Sequence, residues 1–187
     1  MIAEDVLAFW FEGERDLFRR ERWFRADEKF DTLCRERFEF MVRAALDGAL
    51  DSWAATPDGA LALVIVLDQF PRNMFRGSHL AYAGDAHARR IARAALAAGH
   101  DAQLTPVERV FLYLPFEHSE DLADQDTGVE LFGALAREPG LEKGREAAER
   151  HRAVVRRFGR FPHRNAALGR ASTAEEAAWL EEPGPKY

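Results

Sequence analysis

The sequence is poor in several features that would indicate a function class directly. Its 187 residues include one cysteine, Cys34, so no disulfide framework is expected. It has no run of about 18 apolar residues, which argues against a membrane-spanning helix. The opening stretch, MIAEDVLAFWF, carries acidic residues where a signal peptide carries basic ones. We therefore expect a cytoplasmic protein without a membrane partner.

Common catalytic motifs are also missing. The sequence contains no glycine-rich phosphate loop, no HExxH zinc motif, no nucleophile elbow and no dinucleotide-binding fingerprint. Cys34 lies on the apolar stripe of a predicted helix, which favours a core residue over a nucleophile. The sequence therefore predicts no cofactor, and no spacing in it is diagnostic of a metal site.

Apolar and aromatic residues are plentiful. They include fourteen phenylalanines and four tryptophans, and apolar residues make up 47% of the chain. This content can fill a core and excludes a mainly disordered chain. No long stretch rich in proline, glycine or serine divides the sequence, so one domain over 1–187 is predicted. The stretch 13–21 is predicted to be a charged loop and the tail 183–187 to fray.

The apolar residues recur mainly at helical spacing. Segment 27–48 has one apolar stripe with steps of three and four, with Asp27 as the cap and Gly48 at the end. Segment 61–67 (LALVIVL) could be a buried strand, but the preceding Thr56-Pro57 pair is typical of a helix start. We interpret it as a helix that is buried on all sides.

Other helices complete the prediction. Two of them start with a capping box, in which Thr105 pairs with Glu108 and Ser172 pairs with Glu175. Further helices are predicted near 4–11, 85–98, 127–137, 141–158 and 172–181. About eight helices with short connections indicate an all-α fold of antiparallel pairs.

Charge is unevenly distributed along the chain. The net charge is −6, yet segment 141–170 holds nine basic and three acidic residues. Five acidic residues lie between 117 and 126, with no lysine or arginine among them. We predict that these two segments meet within the fold. The acidic chain, with a pI of about 5.6, disfavours a nucleic-acid partner.

Three segments place a proline at the end of an apolar helix among polar residues: 66–73 (VLDQFPRN), 113–121 (YLPFEHSED) and 157–165 (RFGRFPHRN). A proline inside a helix removes one backbone hydrogen bond and frees the carbonyl four residues earlier. Polar side chains placed there either satisfy the freed groups or form a site. An unpaired buried polar group costs about 1–3 kcal/mol.

The leading interpretation of these segments is a concave polar pocket. Arginine and asparagine side chains would hold a small anionic molecule or a peptide through bidentate hydrogen bonds. The predicted ligand-binding residues are Asp68, Gln69, Arg72, Asn73, His151, Arg160, Arg164 and Asn165.

Two other interpretations stay open. In the first, the protein is a hydrolase of a small anionic substrate, in which Glu117 is a general base and His118 or His163 its acid–base partner. Arg160 and Arg164 would then stabilise developing negative charge. In the second, these residues only brace the helices, and a protein partner binds an apolar outer face. His151 lies on an apolar helix face, which also favours simple packing.

The same segments carry a family resemblance. The chain resembles the bacterial domain-of-unknown-function family 924, and the matching stretches are 6–11, 23–24, 68–73 with 76–77, 113–120, 151–165, 168–170 and 175–176. The resemblance implies a tetratricopeptide-like helical fold and no assigned reaction. It includes the polar segments that the physical interpretation selects.

Overall fold

The computed structural model describes residues 2–15 and 23–184. Within these ranges the fold is all-α, with eight α-helices and no strand. Most of the predicted loop 13–21 and the last three residues of the tail 183–187 lie outside the described residues. None of the described helices is both long and apolar enough to cross a membrane.

The helices follow one another through short connections, some of which contain a turn of 3-10 helix. They are α1 (Ala3–Phe11), α2 (Glu28–Leu46), α3, α4 (Asp85–Ala97), α5 (Pro106–Glu117), α6 (Leu122–Leu135), α7 (Gly144–Phe158) and α8 (Ala174–Glu181). Helix α3 has three consecutive parts, an α-helix over Pro57–Val64, a π turn over Ile65–Gln69 and an α-helix over Phe70–Met74.

Helix α3 is the centre of the core. Every residue from 60 to 68 is fully buried, which confirms that LALVIVL is a buried helix. It packs against α1, α2, α4 and α5, so all of its sides are covered. Phe70 and Phe111 both meet the ring of Trp10 edge-on, at centroid distances of 5.6 and 5.5 Å. Cys34 is also fully buried, as expected for a core residue.

Several helix boundaries differ from the prediction. Helix α6 begins at Leu122 and not near 127, because the Asp121 side chain accepts hydrogen bonds from the backbone N–H groups of Ala123 and Asp124. Helix α7 begins at Gly144, three residues later than predicted. The predicted cap of Asp27 on α2 is confirmed.

Of the two predicted capping boxes, one is confirmed. Thr105 and Glu108 form it at the start of α5. At the start of α8 the box is shifted by one residue and uses Thr173 with Glu176, because Ser172 instead accepts a hydrogen bond from the Asn165 side chain. The tetratricopeptide-like arrangement of the helices stays a prediction.

Candidate functional site

The π turn in α3 positions the first group of polar residues. Phe70 donates its backbone N–H to the carbonyl of Ile65, five residues earlier, which is the π-helical pattern. Pro71 has no N–H, so it cannot donate to the carbonyl of Leu67. That carbonyl lies against Gly84, where a Cβ would come within 2.1 Å of the oxygen. Glycine therefore permits this close approach of the two backbones.

Asp68 lies in the π turn and has no exposed surface. Its carboxylate accepts a hydrogen bond from Gln69 Nε2 at 2.6 Å and lies 2.8 Å from His118 Nδ1 and 3.1 Å from an Arg72 nitrogen. Burial alone would raise the pKa of Asp68, but the charge of Arg72, followed by that of His118, holds this pKa well below its usual range. Asp68 is therefore a buried carboxylate.

His118 follows α5 and shares this carboxylate. Burial is the main cause that lowers the pKa of the His118 ring, and the charge of Arg72 adds to it, although Asp68 opposes both. The ring is therefore neutral near pH 7. Because an ionised carboxylate only accepts hydrogen bonds, Nδ1 carries the ring proton and Nε2 holds the lone pair.

Glu117 and His151 form a second carboxylate–histidine pair. Glu117 Oε1 lies 2.9 Å from His151 Nδ1, which also lies 2.9 Å from the carbonyl oxygen of Ala147. The two side chains are 6% and 10% exposed. The Gln125 side chain donates to the backbone carbonyls of Glu117 and Ser119 at 2.7 and 2.6 Å, which fixes the end of α5.

Both pairs adjoin a cavity of about 790 Å³ between α5, α6 and α7. Glu117, His118 and His151 form its polar inner end, since all three side chains are largely buried. Its apolar walls are Phe24, Val110, Leu114, Phe132, Leu135 and Leu141. A cavity of this size with few polar groups is typical of a small-molecule site.

Charged residues line the outer part of the cavity. Arg76 is held by Asp31 at 2.6 Å, whereas Arg150 has only a weak contact of 3.9 Å with Glu146. Lys143 is exposed and makes no ion pair with any described residue. Glu142 is the one acidic residue among the exposed lining residues described, so cations outnumber carboxylates at the mouth.

A buried ion-pair cluster lies behind the cavity and consists of Asp68, Arg72, Asp85 and Arg164. Arg72 binds both carboxylate oxygens of Asp85, at 2.8 and 3.0 Å. Arg164 reaches the same carboxylate at 3.2 Å. Burial, followed by the charge of Arg72, lowers the pKa of Arg164 to about 10. The cluster ties α3, α4 and the segment after α7 together.

The remaining predicted ligand-binding residues are bonded elsewhere. Asn73 donates to Asp31 at 2.7 Å, and Arg160 pairs with Glu176 of α8 at 2.6 Å. Asn165 donates to Ser172 and, at 3.3 Å, to Glu176. None of these three predicted residues lines the cavity.

The predicted residues therefore do not converge on one pocket. Of the eleven, Glu117, His118 and His151 line the cavity, and the others brace the helices or lie behind it. The physical reason is that most of the predicted arginine and asparagine side chains are hydrogen-bonded to carboxylates elsewhere in the fold.

His163 does not line the cavity either. Burial, followed by the charge of Arg164, lowers the pKa of His163 to about 3. Its Nδ1 is buried and has no hydrogen-bond partner in the described ranges. His163 is therefore a neutral, partly buried histidine beside the ion-pair cluster.

The acidic and basic segments do meet within the fold, as predicted. Glu120 binds Arg170 at 2.7 and 2.9 Å and also accepts the backbone N–H of Phe161. Asp126 pairs with Arg152 at 3.0 Å. The contacts of Glu120 join the segment after α7 to the connection before α6, and the Asp126–Arg152 pair joins α6 to α7.

The sequence patterns did not select Asp85, which binds both arginines of the cluster, or Lys143 and Arg150, which line the cavity. Asp85 resembles an ordinary acidic residue in the first turn of a helix, and Lys143 and Arg150 are indistinguishable by sequence from the other basic residues of their segment. Within the described residues no group of three or more histidine, cysteine, aspartate or glutamate side chains could hold a metal ion.

Comparison with known proteins places the chain in a family. A family model described as a bacterial protein of unknown function (DUF924) matches residues 6–184. A solved structure of a protein of unknown function from Agrobacterium tumefaciens is 43% identical, with a TM-score of 0.86 over 97% of each chain. No curated protein matches significantly. The chain therefore belongs to the bacterial family DUF924.

Proposed function

We propose that the protein binds a small amphiphilic anion in the cavity between α5, α6 and α7. The observation that carries this proposal is the cavity itself, about 790 Å³ with apolar walls, a polar inner end and cations at its mouth. A purely structural role, in which polar residues only brace the helices, accounts for the buried ion-pair cluster. It does not account for an open cavity of this volume, because protein interiors are otherwise close-packed.

The distribution of charge gives the ligand an orientation. Glu117 places a carboxylate at the inner end, which disfavours an anionic group there. At the mouth, Lys143 makes no ion pair with a described residue and Arg150 has only the 3.9 Å contact with Glu146, so both suit a carboxylate, sulfonate or phosphate. The apolar part of the ligand would contact the walls, and an uncharged polar group would meet the histidines. A small metabolite or a short peptide with a terminal carboxylate has this chemistry.

The test uses a fluorescent probe with the same pattern, 8-anilinonaphthalene-1-sulfonate, which joins aromatic rings to one sulfonate. We expect one saturable site in a fluorescence titration. Ala147→Phe, on the cavity wall, should raise Kd at least about tenfold, because the new ring occupies the volume. Ala153→Phe is the matched control, because Ala153 is exposed on the same helix and does not line the cavity.

A neutral probe tests the charge of the ligand. N-phenyl-1-naphthylamine keeps the rings but lacks the sulfonate, so it should bind about fivefold more weakly. Equal binding of the two probes would contradict an anionic ligand. Equal affinity of Ala147→Phe and Ala153→Phe for the sulfonate probe would contradict binding in this cavity. The single domain and the cytoplasmic location stay predictions that accompany this proposal.

A further inference from the structure

One histidine on the cavity wall has the arrangement of a general base. His118 lines the cavity, and its Nδ1 is held at 2.8 Å by a carboxylate that has no exposed surface. Asp68 is itself fixed by Gln69 and Arg72, so the orientation of the His118 ring is set from behind. No hydrogen bond to Nε2 occurs among the described residues, and the His118 side chain is 15% exposed.

The other predicted acid–base residues are less suitable. The Glu117 carboxylate is engaged by His151 at 2.9 Å, and His163 does not reach the cavity. His118 therefore combines an accessible edge, a fixed tautomer and a neutral ring. These are the properties of a base that is oriented by a third group.

We propose that His118 is the catalytic general base of an esterase whose substrate is a carboxylic ester with an anionic end, with Asp68 as its positioning residue. The inference rests on the proposed function, because the same cavity must hold the ester. The acyl chain would lie along the apolar walls and its anionic end near Lys143 and Arg150.

The reaction needs no reactant other than water. Nε2 of His118 takes one proton from water, and the water oxygen forms a bond to the acyl carbon. During this attack the π electron pair of the carbonyl moves onto its oxygen. When that pair re-forms the double bond, the bond between the carbon and the ester oxygen breaks, and the leaving oxygen takes the proton from Nε2. The products are a carboxylic acid and an alcohol, and His118 is again neutral. Asp68 stabilises the imidazolium that exists between the two proton transfers.

The test follows 4-nitrophenolate release from mono-4-nitrophenyl adipate, which has a six-carbon acyl chain with a terminal carboxylate. The matched neutral substrate is 4-nitrophenyl hexanoate. We expect the adipate ester to have the higher kcat/KM. His118→Gln should lower kcat/KM about 100-fold or more, whereas saturable binding of 8-anilinonaphthalene-1-sulfonate should persist.

Two further variants support the assignment. Ala147→Phe should abolish hydrolysis and Ala153→Phe should not, which excludes a contaminating esterase. Asp68→Asn should lower kcat and alter the pH profile of kcat/KM, because the amide no longer stabilises the imidazolium. If Asp68→Asn does not fold, His118→Gln still decides the question.

The outcomes separate the two proposals. If the sulfonate probe binds in the cavity but neither ester is hydrolysed faster than in buffer, the esterase inference is wrong and the binding proposal stands. Hydrolysis that is unchanged in His118→Gln overturns the role of His118. Absence of both binding and hydrolysis overturns both proposals.

Discussion

The buried ion-pair cluster and the inner end of the cavity are built from the same kinds of residue, yet they differ in whether a ligand can reach their unbonded polar atoms. In the cluster, the two carboxylate oxygens of Asp85 accept three hydrogen bonds from Arg72 and Arg164, and Arg164 Nε, which has no partner among the described residues, is buried. At the cavity, Asp68 contacts Nδ1 of His118, and no described residue bonds Nε2 of this ring, whose side chain is 15% exposed. A polar group whose bonds are satisfied within the fold stabilises it, whereas a group with an accessible unbonded atom can serve a ligand.

The two regions also share a residue. Asp68 contacts Arg72 of the cluster and His118 of the cavity, so the cluster holds a side chain that lines the cavity. This arrangement predicts that changes in the cluster affect folding and that changes at the cavity affect binding.

The largest effect is expected from Asp85→Asn. The amide is nearly the same size, but it leaves the charges of Arg72 and Arg164 buried without a carboxylate between them. Loss of one partner of a buried ion pair costs about 3–5 kcal/mol. Urea denaturation at pH 7 should show a decrease of this size in the free energy of unfolding.

The control for this prediction is an exposed pair. Arg43 and Glu39 lie four residues apart on α2 and are 68% and 31% exposed. Glu39→Gln should change the free energy of unfolding by less than about 0.5 kcal/mol. A similar small change in Asp85→Asn would show that the cluster does not stabilise the fold.

Replacement of His163 is expected to have an intermediate, pH-dependent effect on the free energy of unfolding. The groups that influence its pKa include Arg164 and Arg72 of the cluster, His151 at the cavity, and Glu120. Its pKa is about 3 in the folded state and about 6.5 in the unfolded state. Below pH 6.5 the unfolded chain therefore binds a proton that the folded chain does not. The contribution of His163 to stability is present above pH 6.5 and is lost as the pH falls toward 3.

His163→Gln removes this titration. Between pH 7 and pH 5 its free energy of unfolding should fall by about 2 kcal/mol less than that of the unmodified protein. Urea denaturation at both pH values measures the difference. His118 and the carboxylates are present in both proteins, so their titration cancels in the comparison. Equal losses would indicate that His163 is protonated in the folded state near pH 5.

The smallest effect on folding is expected at the mouth of the cavity. Arg150→Gln and Lys143→Gln remove exposed charges, so each should change the free energy of unfolding by less than about 0.5 kcal/mol. Each should nevertheless weaken binding of 8-anilinonaphthalene-1-sulfonate about two- to fivefold, with a smaller difference at high salt. If these two variants lowered the free energy of unfolding but bound the probe normally, the proposed difference between the cavity and the ion-pair cluster would be wrong.

Much of the fold follows from apolar spacing, because helices that cover one core must present one face to it. The boundaries were less predictable because neighbouring residues compete for the same cap. Ser172 and Thr173 are both suitable caps, and only the position of Asn165 across the fold decides between them.

The candidate site was predictable in part for a similar reason. Polar residues beside a proline at the end of a buried helix must be hydrogen-bonded or form a site, and this rule selects Asp68 and His118 from the sequence. The cavity walls gave no such signal, because Leu114 and Phe132 have the same helical spacing whether they pack tightly or face an open volume. Whether an arginine at the cavity mouth is paired depends on its distance from carboxylates, some of which are far away in the sequence, as Asp31 is from Arg76.

The π turn over Ile65–Gln69 makes the fold sensitive to the number of residues in this helix. A π turn is equivalent to one extra residue inserted into an α-helix. Deleting a single residue from this turn would restore a regular helix and rotate everything beyond it by about 100° relative to the part before. Arg72 and Asn73 would then turn away from Asp85 and Asp31, although no charged residue had been replaced.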